Sequence, residues 1–153
     1  MLHLAAEDWN SIYRESRRQT VTGIVHSGLS FIPEEFLPDE GLMTKWTAAA
    51  FRIEQASRKM DAIVAGVAGK FLGLGLHPVL LKGQAAARLY REPLLRECGD
   101  IDLYFADRAE WREAVETLAK EGTALSRVAD GSCHYETDGV VVELHGKMMD
   151  ICN

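Results

Sequence analysis

Gly99-Asp100-Ile101-Asp102 sets two carboxylates two residues apart, and the chain continues Leu103-Tyr104-Phe105. In an extended chain alternate residues project to the same side, so Asp100 and Asp102 share a face while Ile101, Leu103 and Phe105 enter a core. Carboxylates held close together repel and are costly to desolvate. A divalent cation removes that penalty, and Mg²⁺ favours one or two carboxylates completed by phosphate oxygens. Glu143, on the later stretch Val140-Val141-Val142-Glu143-Leu144-His145, would supply a third acid from the polar face of its strand. The competing reading is an ordinary solvated strand face, since exposed acids on strands are common.

Upstream lies Leu80-Leu81-Lys82-Gly83-Gln84, an apolar run that meets glycine and then a helical segment. Glycine there lets backbone approach a phosphate, and a following helix start presents free N–H groups to an anion. Lys82 would add a charge contact. Alternatively Gly83 only eases the turn and Lys82 is solvated. His145 shares the face of Glu143 and is expected to hydrogen-bond it. His134 lies on a neighbouring strand with its direction open, while His3, His26 and His77 read as surface or capping groups.

The elements that position these groups follow from hydrophobic period. The first half is helical: Leu4, Ala5, Trp9, Ile12 and Tyr13 form one stripe, and Val21, Ile24, Val25 and Leu29 a shorter one that Gly23 and Gly28 weaken. Phe31 to Pro38 reads as loop. From about Glu40 to Leu72 a long helix carries Trp46, Ala50, Ile53, Ala56, Met60, Ile63, Val67 and Phe71, ended by Gly73 and Gly75. The three tryptophans lie on apolar stripes and read as core, and Arg14, Arg17 and Arg18 as a solvated helix face.

The period then changes. Pro78 to Leu81 reads as a buried strand, Ala85 to Tyr90 as a short helix, and Gly99 to Phe105 as a half-buried strand. Asp107 N-caps a helix whose inner face is Trp111, Val115, Leu118 and Ala119. Two further strands flank Asp138-Gly139, a strong two-residue hairpin turn; Val140, Val142 and Leu144 face the core.

Composition sets the class. The 153 residues are 47% hydrophobic and 26% charged, with a net charge of −6. That is an ordinary globular mix, and it argues against long nucleic acid held on a broad basic face. Three cysteines without close spacing, Cys98, Cys133 and Cys152, read as reduced thiols rather than a zinc site. With no signal peptide pattern and no apolar run of membrane-spanning length, a cytoplasmic protein without membrane attachment is expected.

Taken in order, Leu81-Lys82-Gly83 with Leu89-Tyr90, then Arg96-x-x-Gly99-Asp100-Ile101-Asp102, then Glu143-Leu144-His145 resemble the polymerase-beta-like nucleotidyltransferase superfamily. More narrowly they resemble its uncharacterised bacterial nucleotidyltransferase family, over roughly residues 78 to 147. The resemblance implies that Asp100, Asp102 and Glu143 hold Mg²⁺ (or Mn²⁺) in a two-ion site. It implies that Lys82 and Gly83, followed by Gln84, form the phosphate-contacting turn. Arg96 matches a basic residue that neutralises phosphate charge, with a salt bridge to one of the acids as the alternative. The superfamily's usual Gly-Ser is Gly83-Gln84 here, which removes a serine hydroxyl. The chain stops ten residues after Glu143, where related proteins continue into a helical region, so the core is expected to be shortened at its C-terminal side.

The expected fold is α+β: a small mixed sheet flanked by helices, with an N-terminal helical subdomain over 1–75 and a nucleotidyltransferase-like core over 76–153, together one compact domain. The expected activity is transfer of a nucleoside monophosphate from a nucleoside triphosphate to an acceptor hydroxyl. The alternative is a module of the same fold without turnover, which binds a nucleotide or a protein partner. Exposed faces of the N-terminal helices leave a homo-oligomer open.

Overall fold

A computed structural model describes residues 5–129 and 131–147. Leu4, His3 and Cys152, used above, lie outside them. The chain divides into two compact units, Met1–Arg58 with Leu89–Glu97, and Lys59–Arg88 with Cys98–Asn153.

The first unit is helical. Helix α1 (Ala6–Arg18) and helix α2 (Thr22–Leu29) precede a 3-10 turn (Glu34–Phe36) and the long helix α3 (Glu40–Gly73), whose first half belongs here. Trp9, Tyr13 and Ser16 recur at helical spacing along α1 and are buried. Trp46 is fully buried on α3, edge-on to Tyr13 with ring centroids 5.1 Å apart, and its indole N–H donates to the Thr22 carbonyl at 3.0 Å. That satisfies the one polar group the ring carries into the core. Gly23 has a different purpose from the helix-weakening one expected of it. A β-carbon there would sit 2.4 Å from the Leu95 carbonyl oxygen, so the glycine lets α2 lie directly on a second 3-10 turn, Pro93–Leu95.

The second unit is a mixed sheet covered by helices. Its strands are β1 (Pro78–Leu81), β2 (Asp100–Phe105), β3 (Ser126–Arg127), β4 (Cys133–Thr137) and β5 (Val140–His145), in the order β1-β2-β5-β4-β3. Strands β2 and β5 are parallel neighbours, and the other pairs are antiparallel. On one face Ile101, Leu103, Phe105, Val142 and Leu144 are buried against Met60, Ile63 and Phe71 of α3 and against helix α5 (Arg108–Lys120). Asp107 caps α5, its carboxylate accepting from the Ala109 N–H at 2.7 Å. The Trp111 indole donates to the Leu144 carbonyl at 3.0 Å, pinning α5 to β5. The α+β architecture, the mixed sheet and the helical N-terminal part are as the sequence implies.

Four details differ. β1 is an edge strand rather than a buried one: among the described residues it pairs with β2 alone, and it leaves Val79 half exposed. The short helix, α4, runs Gly83–Ala87 and stops before Leu89 and Tyr90, both exposed. On α5 Ala114 faces the core and Ala119 faces solvent, because the stripe steps by three and four from Trp111. β3 is two residues long, too short to leave a periodic signal. No helix among the described residues is long and apolar enough to cross a membrane.

Candidate functional site

The face of the sheet opposite α3 and α5 carries the polar residues. Register puts Leu81, Asp102, Glu143 and His134 in one row across β1, β2, β5 and β4. Adjacent strands lie about 4.8 Å apart, so Asp102 and Glu143 stand directly side by side. Asp100 is opposite Val141, one pleat back along β2. Residues of one face on one strand are about 6.6 Å apart, so Asp100 is a looser neighbour of Asp102 than Glu143 is.

Side chains converge on Asp102, which is 1% exposed. Its Oδ1 takes the Lys82 ammonium at 2.8 Å and lies 3.1 Å from His145 Nε2. The same imidazole nitrogen is 3.3 Å from Glu143 Oε2. His134 Nε2 lies 3.6 Å from that oxygen and 2.7 Å from Ser132 Oγ. Asp102, Glu143 and His145 present ligand atoms all within 4.8 Å of one another, and Asp100 is not in that cluster. Asp102 Oδ2 is buried with no hydrogen-bond partner among the described residues. A buried carboxylate oxygen without a donor is costly. The donor set of Asp102, Glu143 and His145, carboxylate oxygens and one imidazole from two parallel strands, fits a divalent cation.

Lys82 reaches Asp102 from an unusual backbone. Its φ is +42° with ψ −139°, and Gly83 follows at φ +30°. A lysine in that region costs about 1–3 kcal/mol and persists only where the surroundings enforce it. Here β1 ends at Leu81, opposite Asp102, and a β-carbon on Gly83 would stand 3.4 Å from the Asp100 carbonyl. The hydrogen bond to Asp102 holds the Lys82 amine above its ordinary pKa; desolvation, next in size, opposes it, and the charges of Asp102, Asp100 and Glu143 add to the rise. Its side chain is nevertheless 66% exposed, so the pair joins a buried carboxylate to a lysine that is largely in solvent.

The remaining predicted residues have definite places. Gly83 is buried at the start of α4, which is five residues long and contributes little helix dipole to an anion, so a phosphate contact there would rest on Lys82 and the turn backbone. Gln84 is buried, and its side-chain amide donates to Asp61 on α3 at 2.8 Å, anchoring α4. Arg96 falls in the helical unit, its guanidinium 5.9 Å from the centroid of the Tyr90 ring and its carbonyl accepting from Ser57 Oγ. Two histidines read as peripheral are so placed: His26 meets Thr47, and His77 meets Glu110, whose carboxyl it holds below the usual range through its side chain and then its backbone N–H. His134 and Ser132 were not expected at the site. The signal for His134 was the Asp138-Gly139 turn: a two-residue hairpin pairs Thr137 with Val140, and counting back sets His134 against Glu143.

A family model described as uncharacterised nucleotidyltransferase matches residues 5–152. No curated protein and no solved structure matches the chain.

Proposed function

Because this chain belongs to the uncharacterised nucleotidyltransferase family, we propose that it moves a nucleoside monophosphate from a nucleoside triphosphate to an acceptor hydroxyl, using Asp100, Asp102 and Glu143 to hold Mg²⁺ or Mn²⁺. The observation that carries the reading is the buried, partnerless Asp102 Oδ2 beside Glu143. Divalent ions, when bound, neutralise the triphosphate and acidify the attacking hydroxyl.

The chain's own groups then have distinct tasks. Lys82 is the cation that neutralises Asp102 in the free protein, and its exposed amine swings to the triphosphate when Asp102 takes up an ion. The turn at Gly83 brings backbone to the same phosphates, and Gln84 fixes that turn on Asp61. In the reaction the acceptor oxygen bonds to the α-phosphorus, the bond to the bridging oxygen breaks, and pyrophosphate leaves with the electron pair. Glu143 takes the hydroxyl proton, because its side chain is 21% exposed whereas that of Asp102 is 1% exposed. The nearest imidazole nitrogens to Glu143 Oε2 are His145 Nε2 at 3.3 Å and His134 Nε2 at 3.6 Å.

One observation favours a second reading. Lys82 already balances the buried acid, so the cluster is tolerable without an ion, as suits a nucleotide-binding or interaction module of this fold without turnover.

Thermal unfolding with Mg²⁺ or Mn²⁺ and each nucleoside triphosphate tests the proposal. A nucleotide at 100 times its Kd adds about 2.7 kcal/mol, roughly 5–10 °C for a domain of this size. The shift is expected to need metal and to vanish in Asp102→Asn. Absence of any shift with any metal and nucleotide overturns the enzyme and the nucleotide-binding module alike, and leaves only a module that binds a protein partner. A shift without pyrophosphate release across a panel of hydroxyl compounds selects the module over the enzyme.

A further inference from the structure

We infer that the ion held at Asp102 is also ligated by His145 Nε2, so that this position prefers first-row transition ions over Mg²⁺; the inference rests on the metal-dependent reading above. Three observations carry it. First, the described residues converge as two carboxylates and an imidazole, and Asp100 stands outside that set. Ligands about 2.1 Å from one ion are at most about 4.2 Å apart, so a cluster within 4.8 Å closes on a single ion by shifts of tenths of an ångström. Second, His145 Nε2 is aimed at both acids at once, 3.1 Å from Asp102 Oδ1 and 3.3 Å from Glu143 Oε2. Strand geometry imposes this: His145 is one pleat beyond Glu143 on β5, opposite Tyr104, and turns back along the row. Third, Asp102 Oδ2 lies buried without a donor, an anionic oxygen left over after Lys82 and His145 have taken Oδ1.

Chemistry then sets the preference. Oxygen-only sites suit Mg²⁺, whereas an imidazole nitrogen raises affinity along the first transition row and does little for the harder Mg²⁺. His134 has a different place: its Nε2 is 2.7 Å from Ser132 Oγ and 3.6 Å from Glu143 Oε2, and it lies outside the cluster, as a partner beside a ligand. Such partners are worth about 10–100-fold in metal affinity without touching the ion.

Pulsed electron paramagnetic resonance of the protein loaded with Mn²⁺ reads the ligand atom directly. Imidazole nitrogen coupling is expected in the wild type, retained in His134→Gln and lost in His145→Gln. In competition titrations the preference for Mn²⁺ over Mg²⁺ is expected to fall by about tenfold or more in His145→Gln. Bound Mn²⁺ without nitrogen coupling, or coupling that disappears with His134 instead, overturns the inference and leaves the metal-dependent reading standing. Failure of the wild type to bind Mn²⁺ at millimolar concentration overturns both. The wild-type spectrum alone separates these outcomes, so a variant that does not fold leaves the decision intact.

Discussion

Lys82 is the residue on which the site's charge turns. It holds a buried carboxylate from a strained backbone while most of its side chain faces solvent. A tethered cation competes with a metal ion for the same carboxylate. Lys82→Met is therefore expected to raise Mn²⁺ affinity several-fold in the absence of nucleotide and to weaken nucleotide binding in the presence of metal. Isothermal titration with each ligand measures the two effects, and a fall in both affinities would refute the competition. Much at this scale was readable beforehand: a period of two put Asp102 and Glu143 on one face, and the same alternation sent Val142 and Leu144 inward. What the residues withheld was depth. Nothing in Asp-x-Asp says that the second acid is almost completely buried, because that depends on Lys82 and His145 closing over it from other elements. Nor does a lysine announce a positive φ, a conformation enforced by tertiary packing against local preference.

At the scale of elements, helix α2 separates local propensity from packing. Gly23 and Gly28 both lower its intrinsic helicity, yet their surroundings differ. A β-carbon at Gly28 meets nothing within 4 Å, whereas one at Gly23 strikes the Leu95 carbonyl at 2.4 Å. Gly28→Ala is expected to stabilise by about 0.5–1 kcal/mol through reduced backbone entropy. Gly23→Ala is expected to destabilise by roughly 1–3 kcal/mol, since the turn at Pro93–Leu95 must be pushed aside. Urea unfolding of the two variants checks the opposite signs; equal signs would mean that the turn yields freely. Helices α1, α3 and α5 were legible because each keeps a long apolar stripe. The strand Pro78–Leu81 was legible as a strand, but a four-residue apolar run does not say how many partners it has, and β1 turned out to be an edge.

For the whole molecule, the change of hydrophobic period near residue 76 marks where helix gives way to strand, which differs from where packing divides. The last turns of α3 bury Met60, Ile63 and Phe71 with the sheet, so one continuous helix serves two cores. Global stability should carry a signature of the sheet's core at high pH. Tyr135 on β4 is 8% exposed, and burial, with Glu121 adding to it, pushes its phenol up to about 12 from an ordinary value of 10. Between pH 10 and 12 the unfolded chain loses the phenolic proton while the folded one keeps it, so stability falls as pH rises. The contribution is complete below pH 10, and a shift of that size corresponds to roughly 2–3 kcal/mol lost across the window. Tyr135→Phe removes the ionisation without emptying the space, so its unfolding free energy is expected to decline less steeply over the same range. Denaturant unfolding at pH 9, 10, 11 and about 12 compares the two slopes. Parallel curves would mean that the phenol ionises as easily folded as unfolded, and that the face of β4 toward α3 is wetter than its packing implies.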